Sequence, residues 1–80
     1  MKTNIKSIIK SAMANRNYTQ AVLAKDAGWS NQSSLSTAIN RENPSLESIF
    51  RIMDTMGYDI VIRDRKNKDT SWIVTRIDEE

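Results

Sequence analysis

The spacing of apolar residues changes once along this 80-residue chain, at Gly57. Before it, apolar side chains recur at steps of three and four, as in helices that bury one stripe. After it come two short runs rich in β-branched and aromatic residues, which is strand character. The chain therefore has to pack several short helices together and append a small β element. At this length it can bury only about 60–65% of its unfolded surface, so association with a second copy is a natural way to gain burial.

Four helical segments follow from the spacing and the capping residues. In the first, Ile5, Ile8, Ile9, Ala12 and Met13 share one face. Thr3 can cap its start, and Asn15-Arg16-Asn17 ends it, because Asn tolerates the left-handed conformation. The second is expected to start after Thr19, an N-cap residue, with Tyr18 set to pack against Leu23. Its inward residues include Val22, Leu23, Ala24 and Ala27, and Gly28 stops it. Ser30 or Asn31 caps a third helix of about ten residues whose inward side holds Leu35, Ala38 and Ile39. Ser45 caps the fourth, with Glu47 in its first turn favoured by the helix dipole. Its apolar stripe is Leu46, Ile49, Phe50, Met53 and Met56, and Gly57 ends it. Leu23, Ala24, Leu35, Ile49, Phe50 and Met53 are the expected core.

Residues 58–63 and 71–77 read as the two strands of a β-hairpin with a charged connection at 64–70, and residues 78–80 as a tail. The expected fold is thus mainly α with a small β addition: a four-helix unit over residues 1–57, then an antiparallel β-hairpin over 58–77. An isolated two-stranded hairpin is marginal in water. Its apolar residues Tyr58, Ile60, Ile62, Trp72 and Val74 are therefore expected to mediate dimerisation.

Composition excludes much chemistry. The chain has no cysteine and no histidine, which removes the thiolate, the commonest general base and the commonest metal ligand. No catalytic residues, metal site or cofactor are expected, and the protein reads as a binding module and not an enzyme. No apolar run approaches the roughly 18 residues of a membrane span, and residues 1–6 lack the features of a signal peptide, so a cytoplasmic location is expected. Charge is unevenly distributed. Residues 1–41 carry six basic residues (Lys2, Lys6, Lys10, Arg16, Lys25, Arg41) against Asp26 alone, a net +5, whereas residues 42–80 carry six basic against nine acidic, a net −3. A basic front half suits a polyanionic partner.

The segment from Thr19 to Asn40 runs helix, Gly-containing turn, helix in just over twenty residues. The outward face of its second helix, Gln32, Ser33, Ser36, Thr37 and Asn40, is small, polar and uncharged. Asn31, Gln32, Ser33 and Ser34 in its first turn can hydrogen-bond base edges or phosphates, and Gln can pair bidentately with adenine. Thr19 and Gln20 lie at a helix N-terminus, which favours phosphate. Arg16 and Arg41 flank the motif as candidate phosphate or base contacts.

In Thr19-Gln20, Leu23-Ala24, Gly28, Ser30, Leu35-Ser36, Pro44-Ser45-Leu46 and Met56-Gly57, over residues 3–57, the chain resembles the phage-repressor-like (XRE or Cro-like) helix-turn-helix family. The resemblance implies a lambda-repressor-like domain and a small dimeric transcriptional regulator, a repressor or autorepressor on a pseudo-palindromic double-stranded DNA operator. It implies that Gln20 contacts phosphate and braces the recognition helix, and that Asn31, Gln32, Ser33, Ser36 and Thr37 face the groove. Gly28 to Leu35 spans seven positions, one more than the commonest family pattern, and the fifth helix of many members is replaced by the hairpin. In that respect the chain resembles a small subgroup found among mobile-element regulators and antitoxins. The second expected function is accordingly an antitoxin that binds a toxin protein and regulates its own synthesis.

Overall fold

The structure is a computed structural model that describes residues 1–77; the tail expected at 78–80 lies outside the described residues. Four helices, α1 (Ile5–Asn15), α2 (Gln20–Ala27), α3 (Gln32–Asn40) and α4 (Leu46–Thr55), are followed by a two-stranded antiparallel sheet of β1 (Val61–Arg63) and β2 (Ser71–Ile73). The fold is mainly α with a C-terminal β-hairpin. Among the described residues no helix is long and apolar enough to cross a membrane.

Side-chain caps set three of the four helix starts. Thr19 Oγ1 accepts from the Val22 amide at 3.3 Å, Asn31 Oδ1 from the Ser34 amide at 2.8 Å, and Ser45 Oγ from the Ser48 amide at 3.1 Å. Of the two candidates for α3, Asn31 is therefore the cap. At α1, Thr3 Oγ1 accepts from the Ile5 amide at 3.3 Å, but Asn4 occupies the cap position and gives no side-chain bond.

Three helices stop in the same way. Asn17, Gly28 and Gly57 take φ of 57°, 83° and 82°. Their amides donate to Ala14 O, Lys25 O and Asp54 O, and the next amides, of Tyr18, Trp29 and Tyr58, each reach five residues back to Met13 O, Ala24 O and Met53 O at 2.9 Å. This is the paired bonding of the Schellman motif, in which the residue after the left-handed position packs back on the helix. All three are aromatic here, and all three pack against the core.

That core is wholly apolar: Ile9 and Met13 of α1, Leu23 and Ala24 of α2, Leu35 and Ile39 of α3, and Ile52, Met53 and Met56 at the end of α4. The expected core is corrected at α4. Ile52, outside the expected stripe, is 1% exposed, whereas Leu46 is exposed and Ile49 and Phe50 are half-buried. The helix has apolar residues over a wide arc. The three-helix core takes its C-terminal part, leaving Ile49 and Phe50 on the flanks. Val22, expected inward, is exposed.

The hairpin pairs Val61 with Ile73, Ile62 with Trp72 and Arg63 with Ser71. Bonds from Val74 N to Ile60 O (2.8 Å) and Asp64 N to Thr70 O (3.0 Å) extend the ladder at both ends. The strands are shorter than expected. Tyr58 and Ile60, read as strand residues at an interface, precede β1 and are half-buried against the helices. The Tyr58 hydroxyl donates to Ala12 O at 3.3 Å and accepts from Asn15 Nδ2 at 2.7 Å, so it ties the hairpin base to α1. Val74 is half-buried, while Ile62 and Trp72 are exposed.

Candidate nucleic-acid interface

α3 is held from behind by α1 and α2, through Leu35 and Ile39. Its opposite side is free. Ser33, Thr37 and Asn40 are exposed and Ser36 half-exposed on one stripe there, and Gln32, exposed because it begins the helix, lies at the edge of that stripe, seven residues before the buried Ile39. With its side chains an α-helix is about 10–12 Å across, which fits a major groove about 12 Å wide.

Hydrogen bonding divides the candidate contacts. Thr37 Oγ1 donates to Ser33 O at 3.0 Å, and Asn40 Nδ2 donates to Ser36 O at 2.8 Å and to Ser36 Oγ at 3.2 Å. These groups keep acceptor oxygens but direct their donors at their own helix. Asn31 commits Oδ1 to the cap and keeps its amide donors. Ser34 is half-buried, and its hydroxyl sits 3.4 Å from Ser30 Oγ beside the turn. Among the described residues the side chains of Gln32 and Ser33 have no protein partner. The full donor and acceptor capacity of both is open to solvent.

At the α2 N-terminus, Thr19 is exposed and Gln20 half-buried. Thr19 Oγ1 caps the helix, leaving its proton to donate outward. The brace that the resemblance implies for Gln20 is not made: among the described residues its amide forms no hydrogen bond to α3.

Five of the twelve cations fall into two groups. Arg41 follows α3, and a cleft of about 280 Å³ brings it and Asn40 together with Lys2, which precedes α1, and Lys6 in the first turn of α1, with Glu42 also in the lining. This basic cluster at one end of the stripe joins residues more than thirty positions apart and was not visible in the sequence. Arg16 and Arg51, by contrast, have protein partners. Arg51 Nε and Nη2 donate to Ala27 O at 3.1 and 2.8 Å, and its guanidinium lies 4.1 Å from the centre of the Trp29 ring. Arg16 Nε donates to Met56 O at 3.1 Å, with the guanidinium 4.4 Å from the Tyr58 ring centre. In each case an arginine from another helix joins the carbonyl before a left-handed glycine to the aromatic ring after it. A cation at a helix C-terminus and over an aromatic face is favourable on both counts. Arg16, expected at the DNA face, thus clasps α1 to the end of α4. Arg51 clasps α4 to the turn between α2 and α3, and so fixes the helix that carries the candidate contacts.

Comparison of the chain with protein-family models, curated proteins and solved structures found no match, so the functional reading rests on these residues and their geometry.

Proposed function

We propose that the chain is a sequence-specific double-stranded DNA-binding transcriptional regulator that acts as a homodimer, with α3 as its recognition helix. The observation that carries this reading is the outward face of α3. It is an exposed polar stripe in which Gln32 and Ser33 have no partner among the described residues, with Lys2, Lys6 and Arg41 grouped at one end. An uncharged hydrogen-bonding stripe beside a cationic cluster divides the work as DNA recognition does. The stripe reads base edges in the major groove, and the cations and the α2 N-terminus hold phosphates. The resemblance of residues 3–57 to phage-repressor-like proteins supports the same reading.

In this mechanism two copies present their α3 helices to successive major grooves, about 34 Å apart, on a two-fold symmetric operator. Phosphate contacts supply affinity that falls with salt, Gln32 and Ser33 supply sequence preference, and occupancy of a promoter blocks transcription. Selection from a pool of randomised duplexes tests this with no operator sequence assumed. Enrichment of one sequence with inverted half-sites about one helical turn apart is expected. A pool that stays random after several rounds with folded protein would overturn the reading.

A further inference from the structure

The hairpin and the helical body each leave an apolar surface uncovered, and the two surfaces meet. The strand register and the Val74 N to Ile60 O bond put Ile60, Ile62, Trp72 and Val74 on one face of the ribbon. Ile60 and Val74, at its base, are half-buried, but Ile62 is 58% and Trp72 60% exposed. Next to that base, α1, α4 and the segment before β1 enclose an open groove of about 690 Å³. Its walls are mainly apolar, with Ile5, Ile8 and Ala12 on one side, Ile49 and Met53 on the other, and Ile60 at the end. Ile60 belongs to both surfaces, so groove and hairpin face form one continuous patch.

The chain exposes more surface than its mass requires. A compact monomer of 9.2 kDa exposes about 4,900 Å², whereas this chain exposes 6315 Å². The excess, about 1,400 Å², is summed over the whole chain, its exposed termini included, and the patch contributes to it through Ile8, Ile62 and Trp72, which are 44%, 58% and 60% exposed. The radius of gyration agrees: 13.6 Å, against about 12 Å for a compact chain of this length. A patch made of a protruding element and an adjoining groove is self-complementary, as a two-fold interface requires.

We propose that the occupant of the groove is the hairpin of a second copy. Ile62 and Trp72 of each subunit seat in the α1–α4 groove of the other, about a two-fold axis beside Ile60. This deepens the proposed function, since it places the dimer that the DNA reading invokes, but it is tested without DNA. Edge-to-edge pairing of hairpins is the competing arrangement. It would join three-residue strands by a few backbone bonds and leave Ile5, Ile8 and Ile49 in water, so it meets less of the apolar area.

Sedimentation equilibrium across a concentration series tests the arrangement. The unmodified chain is expected to be a dimer. Ile8→Asp in the groove and Trp72→Ser on the hairpin are each expected to raise the half-dissociation concentration roughly tenfold or more, the effect of losing a central anchor. Leu46→Asp, exposed but on neither surface, is expected to leave it unchanged. Ile8 is 44% and Trp72 60% exposed in the monomer, and an unchanged far-ultraviolet circular dichroism spectrum confirms that each variant is folded. Because the chain has no cysteine, mixing Ile8→Cys protein with Trp72→Cys protein gives a second readout. The mixed disulfide is expected to dominate. A monomeric parent chain, loss of dimer with Trp72→Ser but not Ile8→Asp, or predominance of the Trp72→Cys homodisulfide would each overturn the proposal. Failure of DNA binding alone would leave it standing.

Discussion

On α3, hydrogen bonding within the helix separates side chains free to meet a base from those already engaged. Thr37 and Asn40 direct their donors at α3 itself, whereas Gln32 and Ser33 have no protein partner among the described residues. Pairing with a base therefore costs Gln32 no internal bond, and a glutamine amide can both donate to and accept from one adenine. Gln32→Ala is accordingly expected to weaken binding to the selected operator by about 1–3 kcal/mol, read by fluorescence anisotropy. Thr37→Ala should cost less, since the Thr37 hydroxyl proton already has a partner. Equal losses for the two variants would contradict the ranking. The stripe itself was legible in the sequence, because helical spacing places Ser33 and Thr37 opposite Leu35 and Ile39. The division within it was not. Asn31 reads equally well as a cap or a contact, and only its 2.8 Å bond to the Ser34 amide shows which use its oxygen has.

At the scale of the elements, helix ends organise the molecule. Three of four helices finish on a left-handed residue followed by an aromatic, and at two of these ends an arginine joins carbonyl to ring. The stops were readable at Asn17, Gly28 and Gly57, since few other residues tolerate positive φ. The clasps were not, because Arg16 and Arg51 are distant in sequence from the carbonyls they bind, and a surface arginine gives no sign of its partner. The same limit explains the α4 core. Spacing marked a wide apolar arc there, but the packing of α1–α3 determined that Ile52 lies at its centre and Leu46 outside it. The two glycines allow the clasp to be tested. A methyl group at Gly57 would meet nothing within 4 Å, whereas at Gly28 it would lie 3.2 Å from Arg51 Nη2. Gly57→Ala should cost about 1 kcal/mol from backbone strain alone. Gly28→Ala should cost the same backbone strain plus a few tenths of a kcal/mol, as Arg51 Nη2, the far end of a flexible side chain, gives way by a few tenths of an ångström and its bond to Ala27 O is weakened. Urea denaturation would measure both. A lower cost for Gly28→Ala than for Gly57→Ala would contradict this.

At the scale of the whole molecule, the uneven charge of the sequence acquires a location. Lys2 and Lys6 meet Arg41 at the end of α3, so part of the basic excess of residues 1–41 is gathered beside the candidate reading face. Arg16, counted in the same excess, is engaged elsewhere. The hairpin was legible as an element but not as a protrusion. Whether its apolar residues cover the chain's own helices or remain outside depends on where residues 58–60 leave α4, and no local pattern encodes that. Tyr58 turns inward onto α1, and the ribbon beyond it stays exposed.

The central claim, that α3 reads DNA beside a cationic cluster, is tested most directly by fluorescence anisotropy at several salt concentrations. The titration compares the operator selected from randomised duplexes with a scrambled duplex. Binding at least about 10³-fold tighter to the selected operator is expected at near-physiological salt. With three cations per subunit on phosphates, log affinity should fall with log salt at a slope near −5, and Lys6→Ala should reduce that slope by roughly 2 per dimer. Equal binding to both duplexes, or a slope indifferent to Lys6, would contradict the account.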